Sequence, residues 1–146
     1  MSRALALLGL LAVVGGCTGA DERVVCEDTF EATIEQVVDG DTLDVAGCTR
    51  IRLALVDTPE RGEAGSAEAS AFTAETCPEG SRATVDLDAG QPLDRTGTRL
   101  VGVLFCGGRN LNAELLAAGH AVVLREFCAV SEFADDAWAA PHCASA

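Results

Sequence analysis

The 146-residue chain sets 23 acidic residues against 10 basic ones, a formal net charge of −13, and every basic residue is an arginine. This excludes proteins that hold polyphosphates on broad lysine-rich surfaces, since non-specific nucleic-acid binding draws on counterion release at many cationic contacts. The length suits one domain, and 49% hydrophobic residues suffice for a single core.

Residues 1–16 hold one arginine, Arg3, an apolar run from Ala4 to Val14 and two glycines before Cys17. The run is too short for a mature spanning helix and reads as a signal peptide. Val14-Gly15-Gly16-Cys17 resembles the lipobox of bacterial lipoproteins. That resemblance implies a lipidated Cys17 as the new N-terminus, a membrane anchor and a place in the cell envelope; an ordinary cleaved secretory peptide is the alternative. The polar residues that follow, to position 28, form a tether between lipid and domain. Of seven cysteines, setting Cys17 aside leaves Cys26, Cys48, Cys77, Cys106, Cys128 and Cys143, with no C-x-x-C pair. Six scattered cysteines in an exported chain read as three disulfides rather than a zinc site, with fifteen connectivities open.

Thr29 to Val38 is β-branched and alternates, predicting a first strand that runs into the Asp39-Gly40 turn. Leu43–Ala46 and Arg50–Val56 predict the second and third strands, completing a meander. Strict alternation along the third puts Arg50, Arg52, Ala54 and Val56 on one side, with Ile51, Leu53, Leu55 and Asp57 on the other. Ser66 is the expected N-cap of an alanine-rich helix that stops before Cys77-Pro78-Glu79-Gly80. Arg82–Asp88 predicts a fourth strand with Ala83, Val85 and Leu87 on one side, and Arg99–Phe105 a fifth that Gly107-Gly108 ends. Asn112–Ala118 predicts a short helix closed by Gly119, Ala121–Leu124 an extended piece, and Ser131–Ala140 a last helix capped by Ser131. Five strands with a helix after the third describe a mainly β (α+β) fold, a small closed Greek-key barrel of the OB type with two or three flanking helices. Periodicity alone leaves an open α+β sheet as the rival.

The chemistry-bearing stretch runs from Asp39 to Glu60. Asp41, Asp57 and Glu60 are hard oxygen donors that an antiparallel hairpin could gather around one divalent cation, with Arg52 facing the same place. Asp39-Gly40 and Thr58-Pro59 each also mark turns in their own right. Only together, with an arginine on the next strand, do they form a functional constellation. His120 and His142 stand far apart and offer no nucleophile–histidine–acid pattern, so both read as structural or surface residues.

Val37-Val38-Asp39-Gly40-Asp41-Thr42 followed by Arg52-Leu53-Ala54-Leu55-Val56-Asp57-Thr58-Pro59-Glu60 closely resembles the staphylococcal nuclease family. Ala69-Ser70-Ala71-Phe72, Asp94-Arg95-Thr96-Gly97, Leu111-Asn112 and Gly119-His120-Ala121 continue it in order, over about residues 29 to 125. The resemblance implies the same OB-type barrel. It implies Ca²⁺ held by the carboxylates of Asp41 and Asp57, by the Thr58 carbonyl and, through water, by Glu60. Glu60 would be the general base or water-positioning group, and Arg52 the arginine that grips a phosphate oxygen. Within that fold, neighbouring elements suggest the pairings Cys26–Cys48, Cys77–Cys106 and Cys128–Cys143.

Two departures stand out. The family's second catalytic arginine follows the glycine of the Asp94-Arg95-Thr96-Gly97 turn, where this chain has Thr98. Arg99 comes one residue later, and on a strand a one-residue shift turns a side chain to the opposite face unless a bulge intervenes. The family also binds nucleotides through tyrosines and lysines near this turn and near the end of the barrel, and this chain has neither residue type. Arg95 and Arg61 are the remaining substrate-binding candidates, while Phe127, Phe133 and Trp138 are expected to pack the terminal helix on the barrel. The expected organisation is a lipoprotein-type signal peptide (1–16), a lipidated cysteine and tether (17–28), the barrel domain (29–128) and a helical tail (129–146). The expected protein is an exported, monomeric, Ca²⁺-dependent nuclease of single-stranded DNA and RNA, weakened by Thr98. A catalytically degenerate binding module of an envelope lipoprotein is the alternative.

Overall fold

The computed structural model describes residues 26–144; the expected signal peptide, the expected lipidation site Cys17 and most of the expected tether lie outside them. The first three strands are β1 (Thr29–Asp39), β2 (Thr42–Val45) and β3 (Arg50–Leu53), followed by the short β4 (Val56–Asp57). Helix α1 (Ser66–Thr76) leads to β5 (Arg82–Leu87), β6 (Leu100–Cys106) and the two-residue β7 (Arg109–Asn110). Helix α2 (Leu111–Ala117), β8 (Val122–Val123), two 3₁₀ turns (Arg125–Phe127 and Glu132–Asp135) and α3 (Ala140–Cys143) complete the chain.

The strands run β3-β2-β1-β5-β6, and a parallel pairing of β3 with β6, Arg52 beside Val101, closes five of them into a barrel. Closure rules out the open sheet. Register shifts in β1 between Ile34 and Gln36 and between Val37 and Asp39 let one long strand coil between two neighbours. Its interior is filled by Ile34, Leu43, Ile51, Leu53, Val85 and Leu104 with Leu111 and Leu115 of α2. Strand β6 reads as a continuous apolar run because both of its faces are covered. Leu104 and Cys106 point into the barrel, while Val101 and Val103 pack under Phe133, Ala134 and Ala139 of the C-terminal segment.

Cys26–Cys48, Cys77–Cys106 and Cys128–Cys143 are bonded, as expected, with Cα separations of 5.8, 5.4 and 5.5 Å. They tie the start of β1 to the β2–β3 turn, the end of α1 to β6, and the first 3₁₀ turn to α3. No helix among the described residues is long and apolar enough to cross a membrane.

Three expectations need correction. The third strand does not run through to Val56: it ends at Leu53, and Leu55, buried with φ +61°, turns the chain so that Val56–Asp57 pairs with Val122–Val123 instead. Ser66 is the first helical residue rather than the cap, a place taken by Gly65 without a side-chain bond. The helix expected over Ser131–Ala140 is a 3₁₀ turn and a separate short α3; Ser131 does cap the first piece, its Oγ accepting from the Phe133 N–H at 3.3 Å. That hydroxyl also donates to buried Asp88 at 2.5 Å, which anchors the segment at one end.

Candidate active site

The site begins at the Asp39-Gly40-Asp41 turn, which is set against α1. Thr73 Oγ1 donates to the Gly40 carbonyl at 2.6 Å. The approach is so close that a Cβ on Gly40 would fall 2.6 Å from Thr58 Oγ1 and 2.8 Å from Ala69 Cβ, which is why glycine stands there. Asp41 is 6% exposed, and its Oδ2 accepts from the Thr58 N–H at 2.8 Å and from Thr58 Oγ1 at 2.9 Å. The turn and the Thr58-Pro59 corner are thereby locked together.

Arg52 projects from β3 into this lock. Its Nη1 donates to the carbonyls of Leu53 at 3.2 Å and Val56 at 2.7 Å, while Nη2 lies 2.8 Å from Asp57 Oδ1 and 3.2 Å from Asp41 Oδ2. Strict alternation had put Asp57 on the face away from Arg52. The left-handed residue Leu55 breaks the phase, and the two side chains meet.

Arg99 reaches the same region. It precedes β6, so the 94–99 turn rather than strand alternation sets its direction. Asp94 Oδ1 accepts from the N–H groups of Thr98 and Arg99 at 3.2 and 3.1 Å, and Asp94 Oδ2 holds the guanidinium through Nε at 2.9 Å and Nη2 at 2.8 Å. Nη1 then donates to Thr42 Oγ1 at 3.3 Å, and that hydroxyl donates to Asp41 Oδ1 at 3.1 Å. Arg99 therefore stands one hydroxyl away from the carboxylate that Arg52 touches. The expectation that a one-residue shift would turn it away does not hold.

Arg52, Asp57, Glu60, Asp94, Arg95 and Arg99 all line one cleft of about 260 Å³, with Leu124 and Phe127 as an apolar wall. Glu60 is exposed there, its N–H donating to Glu63 Oε2 at 2.9 Å. Thr98 lines a neighbouring outer groove with Glu35, Asp44 and Arg50, and Arg99 borders both that groove and the cleft. Arg61 is exposed and turns to the Val38 carbonyl at 3.3 Å. His120 leans on Phe72, ring centroids 4.9 Å apart, a packing contact as expected.

Charge is tuned at two of these positions. Burial, reinforced by neighbouring Asp41, pushes the Asp39 carboxyl above its ordinary value. At Asp94 burial works against the charge, but the Arg99 guanidinium, the Arg99 and Thr98 N–H groups and the Thr96 hydroxyl outweigh it and hold the carboxyl well below the usual range.

The Asp41 and Asp57 carboxylates, which meet at one Arg52 nitrogen, offer the hard oxygen atoms that a divalent cation such as calcium takes. Among the described residues, however, no three His, Cys, Asp or Glu side chains are grouped to hold a metal ion, so any such ion would need backbone or water oxygens as well.

Two residues that sequence reasoning did not single out hold the scaffold behind the cleft. Asn112, fully buried, donates to the Ala54 carbonyl at 2.9 Å and accepts from the Leu104 N–H at 3.2 Å. It thus supports the turn that swings Asp57 toward Arg52. Asp88, also fully buried, accepts from the N–H groups of Gly90, Gln91 and Glu132 besides Ser131 Oγ. Asn112 had appeared only as part of the Leu111-Asn112 motif, without a role, and Asp88 only as an aspartate at a strand end.

A closed five-stranded barrel with arginines and carboxylates lining one cleft defines an OB-type protein. The family model described as staphylococcal nuclease homologue matches residues 50–140, and the chain belongs to that family. No curated protein matches the chain.

Proposed function

We propose that the protein is an exported, Ca²⁺-dependent phosphodiesterase that cleaves single-stranded DNA and RNA without sequence preference. The observation that carries this reading is the convergence of Arg52, Arg99, Glu60 and Asp57 on one cleft. Asp41 and Asp57 would hold the calcium ion with the Thr58 carbonyl, and Glu60 through water; when bound, the ion supplies positive charge beside the phosphoryl oxygens. Arg52 and Arg99 bind the scissile phosphate and offset the charge that grows on it in the transition state. Glu60 accepts the proton of the water whose oxygen attacks phosphorus; the new P–O bond forms as the old one breaks, and the departing oxygen takes a proton from solvent.

Arg99 takes the place of the arginine that Thr98 lacks, so the two departures from the family pattern are not equal. The missing cation is supplied from the next position; the tyrosines and lysines are not. With a net charge of −13, substrate affinity is weak, although charges beyond about 8 Å are screened at physiological salt.

Three disulfides support an oxidising compartment. With the lipobox-like Val14-Gly15-Gly16-Cys17 they favour an envelope lipoprotein anchored at Cys17, its signal peptide at 1–16, tether at 17–28, barrel at 29–128 and tail at 129–146, acting as a monomer. The alternative is a binding module that no longer cleaves; it is favoured by the saturation of Arg52, whose Nη1 and Nη2 contact four protein acceptors. Incubating the purified protein with single-stranded DNA, with calcium or with a chelator, separates the two. Cleavage that the chelator abolishes and Glu60→Gln suppresses supports the enzyme. Calcium binding and nucleic-acid binding without any cleavage support the module.

A further inference from the structure

Past Arg99 lies the outer groove, about 680 Å³ and wider than the cleft, with Glu35, Asp44, Arg50 and Thr96 along it. Arg99 lines both spaces, so a strand whose phosphate lies at Arg52 and Arg99 has an unbroken path into the groove.

Strand β3 sets the direction of Arg50. Ile51 and Leu53 point into the barrel, so Arg50 and Arg52 share the outer face, two residues and about 6.6 Å apart along the strand. Successive phosphates of an extended nucleic-acid strand are spaced similarly. Across the β2–β3 pairing Asp44 stands opposite Arg50, its Oδ1 accepting from Nε at 2.7 Å and its Oδ2 from Nη2 at 2.9 Å. The Arg50 guanidinium holds the Asp44 carboxyl below its ordinary value, so the pair stays charged at neutral pH. The fork is thereby oriented, while Nη1 makes no hydrogen bond among the described residues. The two side chains are 45% and 24% exposed, and an exposed pair contributes little, so Asp44 aims the guanidinium without withholding it from a stronger anion. The barrel itself makes no use of a cation here, since Arg50 touches neither the core nor the lock between Asp41 and Thr58.

We propose that Arg50 binds the phosphate next to the one held by Arg52 and Arg99, so that the outer groove carries the strand onward from the point of cleavage. The proposal rests on the reading of the cleft as a phosphodiester site and adds to it that the substrate is a strand of at least two phosphodiesters. Glu35 and Asp44 offset the charge of Arg50 in the groove, so the hold is modest and sensitive to salt.

The test follows binding of a labelled oligothymidylate by fluorescence anisotropy over a series of salt concentrations, in Glu60→Gln protein with calcium so that the strand survives. Cleavage of the same strand and of thymidylyl-thymidine, which has a single phosphodiester, is followed in parallel with Glu60 intact. Adding Arg50→Gln is expected to weaken strand binding about three- to fivefold and to lower the slope of log affinity against log salt by about 0.7, the share of one single-strand phosphate contact. In cleavage it raises KM for the strand and leaves turnover within about twofold, whereas thymidylyl-thymidine, too short to reach both sites, is cut alike by both proteins. Glu35→Gln, which takes a repelling carboxylate out of the groove, is expected to tighten strand binding about twofold. No binding of the strand, an unchanged salt slope in Arg50→Gln, an equal loss on the dinucleotide, or no tightening in Glu35→Gln overturns the proposal. A reduced slope in Arg50→Gln without cleavage of any strand keeps the Arg50 site and overturns the hydrolase.

Discussion

Replacing Gly40 with alanine tests whether the Asp39-Gly40-Asp41 turn positions the site or merely reverses the chain. The new Cβ would stand 2.6 Å from Thr58 Oγ1, 2.8 Å from Ala69 Cβ and 2.9 Å from Thr58 Cβ. Carbon atoms pack at about 3.5–4.0 Å, so the turn must retreat by roughly 1 Å. Overpacking of this kind costs about 1–3 kcal/mol. The retreat also weakens the two bonds from Thr58 to Asp41, at 2.8 and 2.9 Å, each with a net contribution of about 1 kcal/mol. The expected loss is therefore about 2–4 kcal/mol, read from urea midpoints with the disulfides intact. Gly47→Ala is the control: at φ +75° with no atom within 4 Å, it carries only backbone strain, about 1–2 kcal/mol, and lies away from the cleft. Cleavage should fall in Gly40→Ala and persist in Gly47→Ala. Stability of Gly40→Ala within about 0.5 kcal/mol of wild type, with activity unchanged, would refute the reasoning.

Asp88→Ala removes the buried acceptor of four hydrogen bonds and is expected to cost about 3 kcal/mol by thermal or urea unfolding; a loss under about 1 kcal/mol would contradict its role. Asp94 has a folded-state value below its ordinary 3.8, so its stabilising contribution is present above that pH and fades as pH falls through the lower folded value. Asp94→Asn should thus be less stable than wild type at pH 7, with the gap narrowing below about pH 4; a pH-independent gap would count against the Arg99–Asp94 pairing. Replacing Cys77 and Cys106 together by alanine opens a crosslink of sequence separation 29, and the melting transition should fall by the equivalent of about 3–4 kcal/mol. Thr98→Arg should bring little gain in cleavage, because Thr98 lines the outer groove rather than the cleft; a large gain would show that the family position still governs the site.

The strands were legible because their signals are local and repeated. Alternation in Thr29–Val38 and Arg82–Asp88 and the glycine turns encode the strands, whereas closure and the three cysteine pairings came from the family resemblance of the Asp39–Glu60 motifs. What was not legible arose where one residue breaks a period. Leucine rarely adopts φ +61°, yet Leu55 does so in a buried setting, and this alone moves Asp57 to the Arg52 side. The direction of Arg99 was hidden in the same way, since it depends on Asp94 collecting two backbone N–H groups and a guanidinium in one turn. Sequence separation concealed the remaining features. Asn112 reaches Ala54 across 58 positions, and Arg95 meets Glu126 across 31, which no periodicity could announce.

The proposed hydrolysis depends on Arg99 acting together with Arg52 on one phosphate. Its most direct measurement is the turnover of single-stranded DNA by Arg99→Ala in saturating calcium. A fall in turnover of about 10²–10³ is predicted, as for loss of one preorganised charge donor; turnover equal to wild type would contradict it.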